Sequence, residues 1–456
     1  MKGFLGKIDS FFKISERGSS FAKELIGVLT IFLAMIYILP VNAGMLSETG
    51  MSFAAVFAAT AIAAGIASIL MGVYANYPIG LASGMGVNAF FTYTVCFQLG
   101  FGWDEALAAV LISGVIFMVI SLTNIRKYMI NAIPKDLKLA IGAGIGFFIA
   151  FIGLRNAGII VPDAATGVAL GDLAHPAVLL GLFGVLLAFI LLATKSKYTV
   201  ILSILITGAV GVILGLLGVD HMPSLSAGDG ESVFAIKETF GKAFKAIPTL
   251  LAKPEAYAVI FTFLFIDFFD TSGTLVAVGH DAGMLDEEGQ LIGDKKAFLA
   301  DAVGTVAGAA LGTSTVTSFV ESTTGIKSGA RTGLAAVVVG VLFLLALLIY
   351  PAFGFVGGIF DPATGSVYSP VTAMALVLVG ALMINSLKEM DWNNNISVTS
   401  GFAAIIFMVL ANSIADGIAF GIITYVVMML ASKRFKDISI TMYILTGLFI
   451  LNYVLQ

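Results

Sequence analysis

The sequence predicts an all-α polytopic membrane protein with about 14 transmembrane spans, arranged as a 7+7 inverted repeat, and three observations carry that prediction. The chain of 456 residues is 59% hydrophobic and only 11% charged, whereas a soluble domain carries roughly 25% charged residues. Apolar windows of about twenty residues, the length that crosses a hydrocarbon core, recur along it. One such window, Phe261–Gly279, holds two carboxylates, Asp267 and Asp270. Each ionised acid near a bilayer centre costs roughly 2.5 to 3.5 kcal/mol, so the pair faces protein, water or a ligand rather than lipid.

In chain order, residues 1–21 (MKGFLGKIDSFFKISERGSS and on) are basic and amphipathic, lack the apolar core of a signal peptide, and read as a segment on the cytoplasmic membrane surface. Spans follow near Ala22–Ala43, Ser52–Tyr74, Leu81–Leu99, Trp103–Thr123, Leu137–Ile160, Ala174–Thr194 and Tyr198–Leu217. Residues 218–254 are an extracytoplasmic connector in which Lys237, Lys242 and Lys245 fit an amphipathic surface helix. The second set lies near Tyr257–Gly279, Lys296–Gly312, Thr313–Ser328, Thr332–Phe353 and Pro370–Leu387, with a hairpin from Ile396 to Leu430 broken at NSIADG. The tail Ile438–Leu455 reads either as an interfacial helix or as a further span.

Loop charge orients the chain. Arg126, Lys127, Lys135, Lys195, Lys197, Lys295, Lys296, Lys327, Arg331, Lys433, Arg434 and Lys436 fall on one side, which the positive-inside rule makes cytoplasmic. AGMLSETG at Ala43–Gly50 recurs as AGMLDEEG at Ala282–Gly289, each after an apolar span. An odd number of spans between the copies inverts the second half, as in many secondary transporters.

Two segments make poor continuous helices. Tyr77–Val95 has Pro78, Gly80, Gly84 and Gly86 ahead of a helical pattern, and Leu311–Gly329 alternates Thr313, Thr315, Thr317, Phe319 and Glu321 with period two. Spans 3 and 10 are therefore each expected to be a short extended piece plus a half-helix. Such elements persist at membrane depth where they line a cavity, and their half-helix amino ends attract electron-rich groups.

The candidate site gathers at these elements. Helical spacing sets Asp267, Asp270, Thr271 and Thr274 on one face. Glu321 adds a third carboxylate, Asn88 opens the other half-helix, and Met85 and Gly86 offer backbone amides. No GxxxxGK[ST] loop is present, so a gradient rather than ATP is the expected driving force. Cys96 is the lone cysteine, so no intramolecular disulfide forms. His175, His221 and His280 lie far apart in the sequence and do not make a metal site by spacing, so no metal and no cofactor are expected. The net charge of -4 is spread over loops of both signs and suggests no nucleic-acid partner.

The motifs GMGVNAFFTYTV, FLFIDFFDTSGTL and GTSTVTSFVESTTGIKSGARTGL, with the opening FFKISERGSSFAKELIGVLTIFLAMIYILPVNAGML, resemble the AzgA-like purine permeases. These are a branch of the nucleobase/cation symporter-2 (nucleobase/ascorbate transporter) family, and the resemblance runs over essentially the whole chain. It implies a core domain from residues 22–123 and 255–353, a gate domain from 124–217 and 354–456, and a homodimer in the cytoplasmic (inner) membrane with a cytoplasmic amino terminus. Asp267 and Asp270 match the family's acidic pair, Glu321 its span-ten glutamate and Asn88 its span-three asparagine. Ala43 and Ser83 stand where the family more often has proline.

The expected function is import of purine nucleobases (adenine, guanine, hypoxanthine) by proton symport, with an elevator or rocking motion of core against gate and no enzymatic activity. Asp270, Glu321, Asn88, Met85, Gly86, Phe268 and Phe319 are the expected substrate contacts, with Phe90, Phe91 and Phe269 as further stacking candidates. Asp267, Asp270 and Glu321 are the expected proton-coupling groups. A uracil, xanthine, ascorbate or anion carrier of the same fold, a Na+-coupled carrier, and outside that class a channel or membrane enzyme, are the alternatives.

Overall fold

The computed structural model describes residues 3–123, 133–196, 198–224, 232–284, 291–356, 358–361 and 366–455. Arg126, Lys127, Lys197 and Leu285–Gly289 of the second repeat copy, all used in the sequence reading, lie outside the described residues. The first part of the chain forms α1 (Phe4–Phe12), α2 (Phe21–Met35), α3 (Ile38–Ser47), α4 (Phe53–Leu70), β1 (Leu81–Ser83), α5 (Met85–Ala89) and α6 (Trp103–Leu122). Then come α7 (Lys135–Asn156), the hairpin β2 (Ile160–Asp163) and β3 (Gly167–Leu170), α8 (Pro176–Ala193), α9 (Thr199–Leu216) and α10 (Lys242–Leu251). The second part forms α11 (Ala256–Asp281), α12 (Asp294–Leu311), β4 (Val316–Ser318), α13 (Ser322–Lys327) and α14 (Gly333–Leu345). The hairpin β5 (Ile359–Asp361) and β6 (Ser366–Tyr368) leads to α15 (Pro370–Met383), α16 (Asn395–Leu410), α17 (Ile414–Ala431) and α18 (Ile440–Leu455).

Local chemistry sets these bounds. Ser20, Ser52, Thr332, Asn394 and Ser413 cap helix amino ends with side-chain oxygens, and Pro176 and Pro370 occupy first turns, where a missing N–H costs nothing. Pro40 has no N–H and crowds the carbonyl four residues back, which separates α2 from α3.

Among the described residues, 10 helical segments are long and apolar enough to cross a membrane. The larger sequence count differs for identifiable reasons. The segments at Leu81–Leu99 and Thr313–Ser328 are interrupted, α12 carries Asp294, Lys295, Lys296 and Asp301, and α16 is only 16 residues long. The connector does form an amphipathic helix, α10, with Ala243, Ala246 and Leu250 buried against α6. The tail is helical and docks on α17, where the Tyr453 hydroxyl donates to Asp416 at 2.6 Å.

Helices α2 to α6 pack with α10 to α14, and α7 to α9 pack chiefly with α15 to α17. Small residues permit the close crossings. A Cβ on Gly72 of the turn after α4 would fall 2.3 Å from the Gly333 carbonyl of α14, and one on Gly380 of α15 would fall 2.3 Å from the Gly146 carbonyl of α7. The amino-terminal segment is tied to its neighbours. Phe12 and Ile14 are buried, and Arg17 donates to the backbone carbonyls of Asn76 (2.8 Å) and Arg331 (3.1 Å).

At the centre, β1 and β4 pair antiparallel with Leu81 opposite Ser318, Ala82 opposite Thr317 and Ser83 opposite Val316. All six residues are buried. Short strands at this depth leave backbone groups that lipid would not satisfy, and neighbouring hydroxyls take them up symmetrically. Ser68 of α4 accepts from the Leu81 N–H at 2.9 Å and donates to its carbonyl at 3.1 Å. Thr305 of α12 accepts from the Val316 N–H at 3.3 Å and lies 3.0 Å from its carbonyl. Gly80 and Phe319 close the outer end, with the Phe319 N–H donating to the Gly80 carbonyl at 3.0 Å and the Ser322 hydroxyl accepting from the Gly80 N–H at 3.0 Å.

Candidate functional site

The paired strands divide a buried polar seam in two. On one side stand Asn42 of α3, Thr60 of α4, Asn88 of α5 and the residues leading into β4. Asn42 Nδ2 donates to Thr60 and Thr313, each at 2.8 Å. Asn88 Oδ1 accepts from the Ser83 hydroxyl at 2.8 Å and from that of Ser314, while its Nδ2 is buried without a hydrogen-bond partner among the described residues. Gly84, not Asn88, caps α5, so Asn88 ties the two broken segments together rather than ending a helix.

The other side holds the carboxylates. Asp267 and Asp270 project from α11 in different directions because three residues advance a helix by about 300°. Asp267, 1% exposed, accepts from Thr305 at 3.0 Å, and its Oδ1 is buried without a hydrogen-bond partner among the described residues. Asp270 is half-buried and its Oδ2 lies 3.5 Å from the Thr317 hydroxyl of β4. Glu321 precedes α13, is half-buried, and accepts the Tyr37 hydroxyl at 2.7 Å. Its side chain makes no cap bond to α13, which sets aside a purely capping glutamate.

Two participants were not among the sequence candidates. Asp301 of α12 is fully buried and accepts from Thr271 and Ser318, each at 2.8 Å. It neighbours Asp267 electrostatically, as Glu321 neighbours Asp270. The argument that picked out Asp267, an acid in an apolar run, applies equally to Asp301 in FLADAVGTVAGAAL. Tyr37 carried no sequence signal, since its role comes from the Glu321 carboxylate that the fold brings to it.

The fold brings Asp267, Asp270, Glu321, Asn88 and Phe319 to the paired strands, but not Phe268. Phe268 lies two residues before Asp270, nearly opposite it on the helix. Its ring packs between Phe117 of α6 (5.7 Å) and Phe298 of α12 (5.8 Å) with no exposed surface. It is a packing residue, and its expected substrate contact is withdrawn. Phe90 and Phe91 likewise pack against Phe263, edge-on at 4.8 Å and tilted at 6.4 Å, and are buried. Phe269 is half-buried against Phe265 at 4.6 Å, and Phe319 is 6% exposed at the strand-to-helix joint.

Met85 is buried in the first turn of α5, and Gly86 faces α7. A Cβ on Gly86 would sit 2.8 Å from Ile145 Cγ2, a methyl on a stiff β-branched side chain. Asn156 of α7 donates to Glu48 (3.1 Å) and to the Tyr93 hydroxyl (2.8 Å). Gly86→Val is expected to overfill the α5–α7 contact and to destabilise the protein by about 1 to 3 kcal/mol, read as a lower melting temperature. Adding Ile145→Ala should restore the melting temperature; absence of rescue would detach the loss from this contact.

A model of the Permease family matches residues 22–420. The chain is 43% identical over 454 residues to the guanine/hypoxanthine permease PbuG of Bacillus subtilis, covering 98% of this chain and 99% of that one. It is 36% identical over 450 residues to the adenine permease AdeQ of Escherichia coli, covering 99% and 97%. Among solved structures, the transmembrane domain of the cyanobacterial bicarbonate transporter BicA superposes with a TM-score of 0.60 at 16% identity, covering 86% of this chain and 96% of that one. That last likeness speaks to fold alone.

Proposed function

We propose, from the premise that this chain belongs to the Permease family and to its purine-permease branch, that it imports adenine, guanine or hypoxanthine by proton symport. It is a transporter and not an enzyme. The observation that supports the reading most is the cluster of four carboxylates, Asp267, Asp270, Asp301 and Glu321, set around the paired β1 and β4 with hydroxyls as their hydrogen-bond partners. An acidic site repels anions, so the BicA-like fold is here directed to a different substrate class. Purines are flat, neutral at pH 7 and carry N–H donors that carboxylates accept.

In this reading the half-buried acids, Asp270 and Glu321, take the substrate N–H groups. Phe319 contributes its ring face and the first turn of α5 its free amides at Met85 and Gly86. Asn88, on the other side of the paired strands, holds the two broken segments in register. Asp267 and Asp301, both enclosed and electrostatic neighbours, serve as the coupling pair behind the binding acids.

The working architecture is 14 spans in two inverted halves. Residues 22–123 and 255–353 form a core that slides or rocks against a gate of residues 124–217 and 354–456. The near-symmetric bonding of Ser68 to Leu81 and of Thr305 to Val316 supports the inverted repeat. The bonds of Asn156 to Glu48 and Tyr93 would have to break as core and gate move. A homodimer in the cytoplasmic membrane, with the amino terminus inside, completes the proposal.

Reconstituted proteoliposomes test it. An inward proton gradient is expected to drive accumulation of labelled adenine, guanine or hypoxanthine, and a protonophore to abolish it. Uptake that follows an imposed Na+ gradient and ignores pH would overturn proton coupling. Absence of uptake of adenine, guanine and hypoxanthine, with uptake of uracil, xanthine or ascorbate, would overturn the substrate assignment.

A further inference from the structure

Only three histidines occur in the chain, and two of them meet at one point of the fold. His175 stands immediately before α8, and His221 follows α9. Both converge on Asp361 at the end of β5, which belongs to the other half of the sequence. Asp361 Oδ2 lies 3.6 Å from His175 Nε2, and its Oδ1 lies 3.9 Å from His221 Nε2. One ligand-type atom from each of the three falls within 4.8 Å of the others.

The surroundings orient these groups. Asp361 is 2% exposed, and the side chains of His175 and His221 are 15% and 29% exposed. The His175 ring is held between His221, at a centroid distance of 5.1 Å, and Tyr368 of β6, at 4.7 Å. Its Nδ1 is buried without a hydrogen-bond partner among the described residues, so packing and the Asp361 side fix the ring. His221 adopts a left-handed backbone, φ 57°, a conformation that a non-glycine residue keeps only when its surroundings hold it there.

We propose that His175, His221 and Asp361 form a binding site for a divalent transition-metal cation, Zn2+ being the best match. Two imidazoles and a carboxylate are a borderline donor set that suits Zn2+ and disfavours Mg2+ or Ca2+, which prefer oxygen-only shells. Zn–N and Zn–O bonds of about 2.0 to 2.1 Å put tetrahedral donor atoms roughly 3.3 Å apart. The distances of 3.6 and 3.9 Å, and the 4.8 Å within which all three donor atoms fall, close further on binding. Three protein ligands leave a fourth position for water.

The site bridges the segment before α8, the segment after α9 and the β5–β6 hairpin. Just beyond that hairpin, the Ser369 N–H donates to the Asn156 carbonyl at 2.8 Å. Asn156 also bonds Glu48 and Tyr93, so a bound cation would brace the hairpin beside these bonds. The spacing of the histidines gave no hint of this, because the third ligand comes from the opposite half of the chain.

The test uses full-length protein purified without a polyhistidine tag, in detergent micelles, titrated with ZnCl2 by calorimetry. One Zn2+ per chain is expected, with a rise in melting temperature on saturation. Asp361→Asn, which preserves shape, and His175→Ala with His221→Ala are each expected to weaken binding by at least about tenfold, the lower limit even for outer-shell partners. Should the double histidine variant fail to fold, Asp361→Asn alone decides. Co2+ in place of Zn2+ should give the visible absorption of a four-coordinate site in the native chain and not in Asp361→Asn. No saturable binding near one per chain, or equal Zn2+ affinity in Asp361→Asn, would overturn the proposal and leave the cluster as an ion pair only.

Discussion

Glu321→Gln is expected to abolish measurable purine binding, a loss of at least about a hundredfold or ~2.7 kcal/mol, while the melting temperature stays near that of the native chain. The reasoning rests on which oxygen is already committed. Glu321 Oε1 accepts the Tyr37 hydroxyl at 2.7 Å, and the glutamine oxygen can keep that bond. Its NH2 then takes the place of the second carboxylate oxygen and faces a substrate N–H, donor against donor. A buried donor left unpaired costs about 1 to 3 kcal/mol, and more when the lost partner was charged. Calorimetry on purified protein reads the affinity, and thermal unfolding reads the fold. Tyr37→Phe is the graded companion: it frees the carboxylate without removing it, so a loss of only several-fold is expected. Native affinity in Glu321→Gln would remove Glu321 from the site.

The sequence carried the helices, the two broken segments and the acids on α11, because each is a local pattern: a run of apolar residues, a proline and glycines in a row, or a carboxylate where lipid forbids one. What it did not carry was partnership. That Leu81–Ser83 would pair with Val316–Ser318 is a contact between segments far apart in the chain, and no periodicity encodes it. Asp301 was visible by the rule that found Asp267, since it lies inside the span expected at Lys296–Gly312, yet it was not singled out there. Phe268 failed for the opposite reason. Its neighbours Asp267 and Asp270 drew it into the site, although helix geometry turns it to the packed face between Phe117 and Phe298. Aromatic residues beside a functional acid share its sequence position, not its direction.

Directions also separate the two acids of α11, and the second large effect follows from them. Asp270 is half-buried at the Thr317 and Glu321 side, whereas Asp267 is enclosed beside Asp301 behind β4. Asp270→Asn is expected to lose both binding and uptake, by about a hundredfold, for the same donor-against-donor reason as Glu321→Gln. Asp267→Asn is expected to retain equilibrium purine binding within a few-fold and to lose net uptake. In the native chain protonation and substrate support each other, so the dissociation constant should rise with pH; in Asp267→Asn, which mimics the protonated acid permanently, it should be flat. Exchange of labelled for unlabelled purine, which needs no net proton movement, should survive in Asp267→Asn. Asp301→Asn should repeat this pattern if the two buried acids share one proton. If Asp267→Asn and Asp270→Asn both bind purine with native affinity and native pH dependence, the α11 carboxylates only lock helices together, and the coupling must then be sought at Glu321.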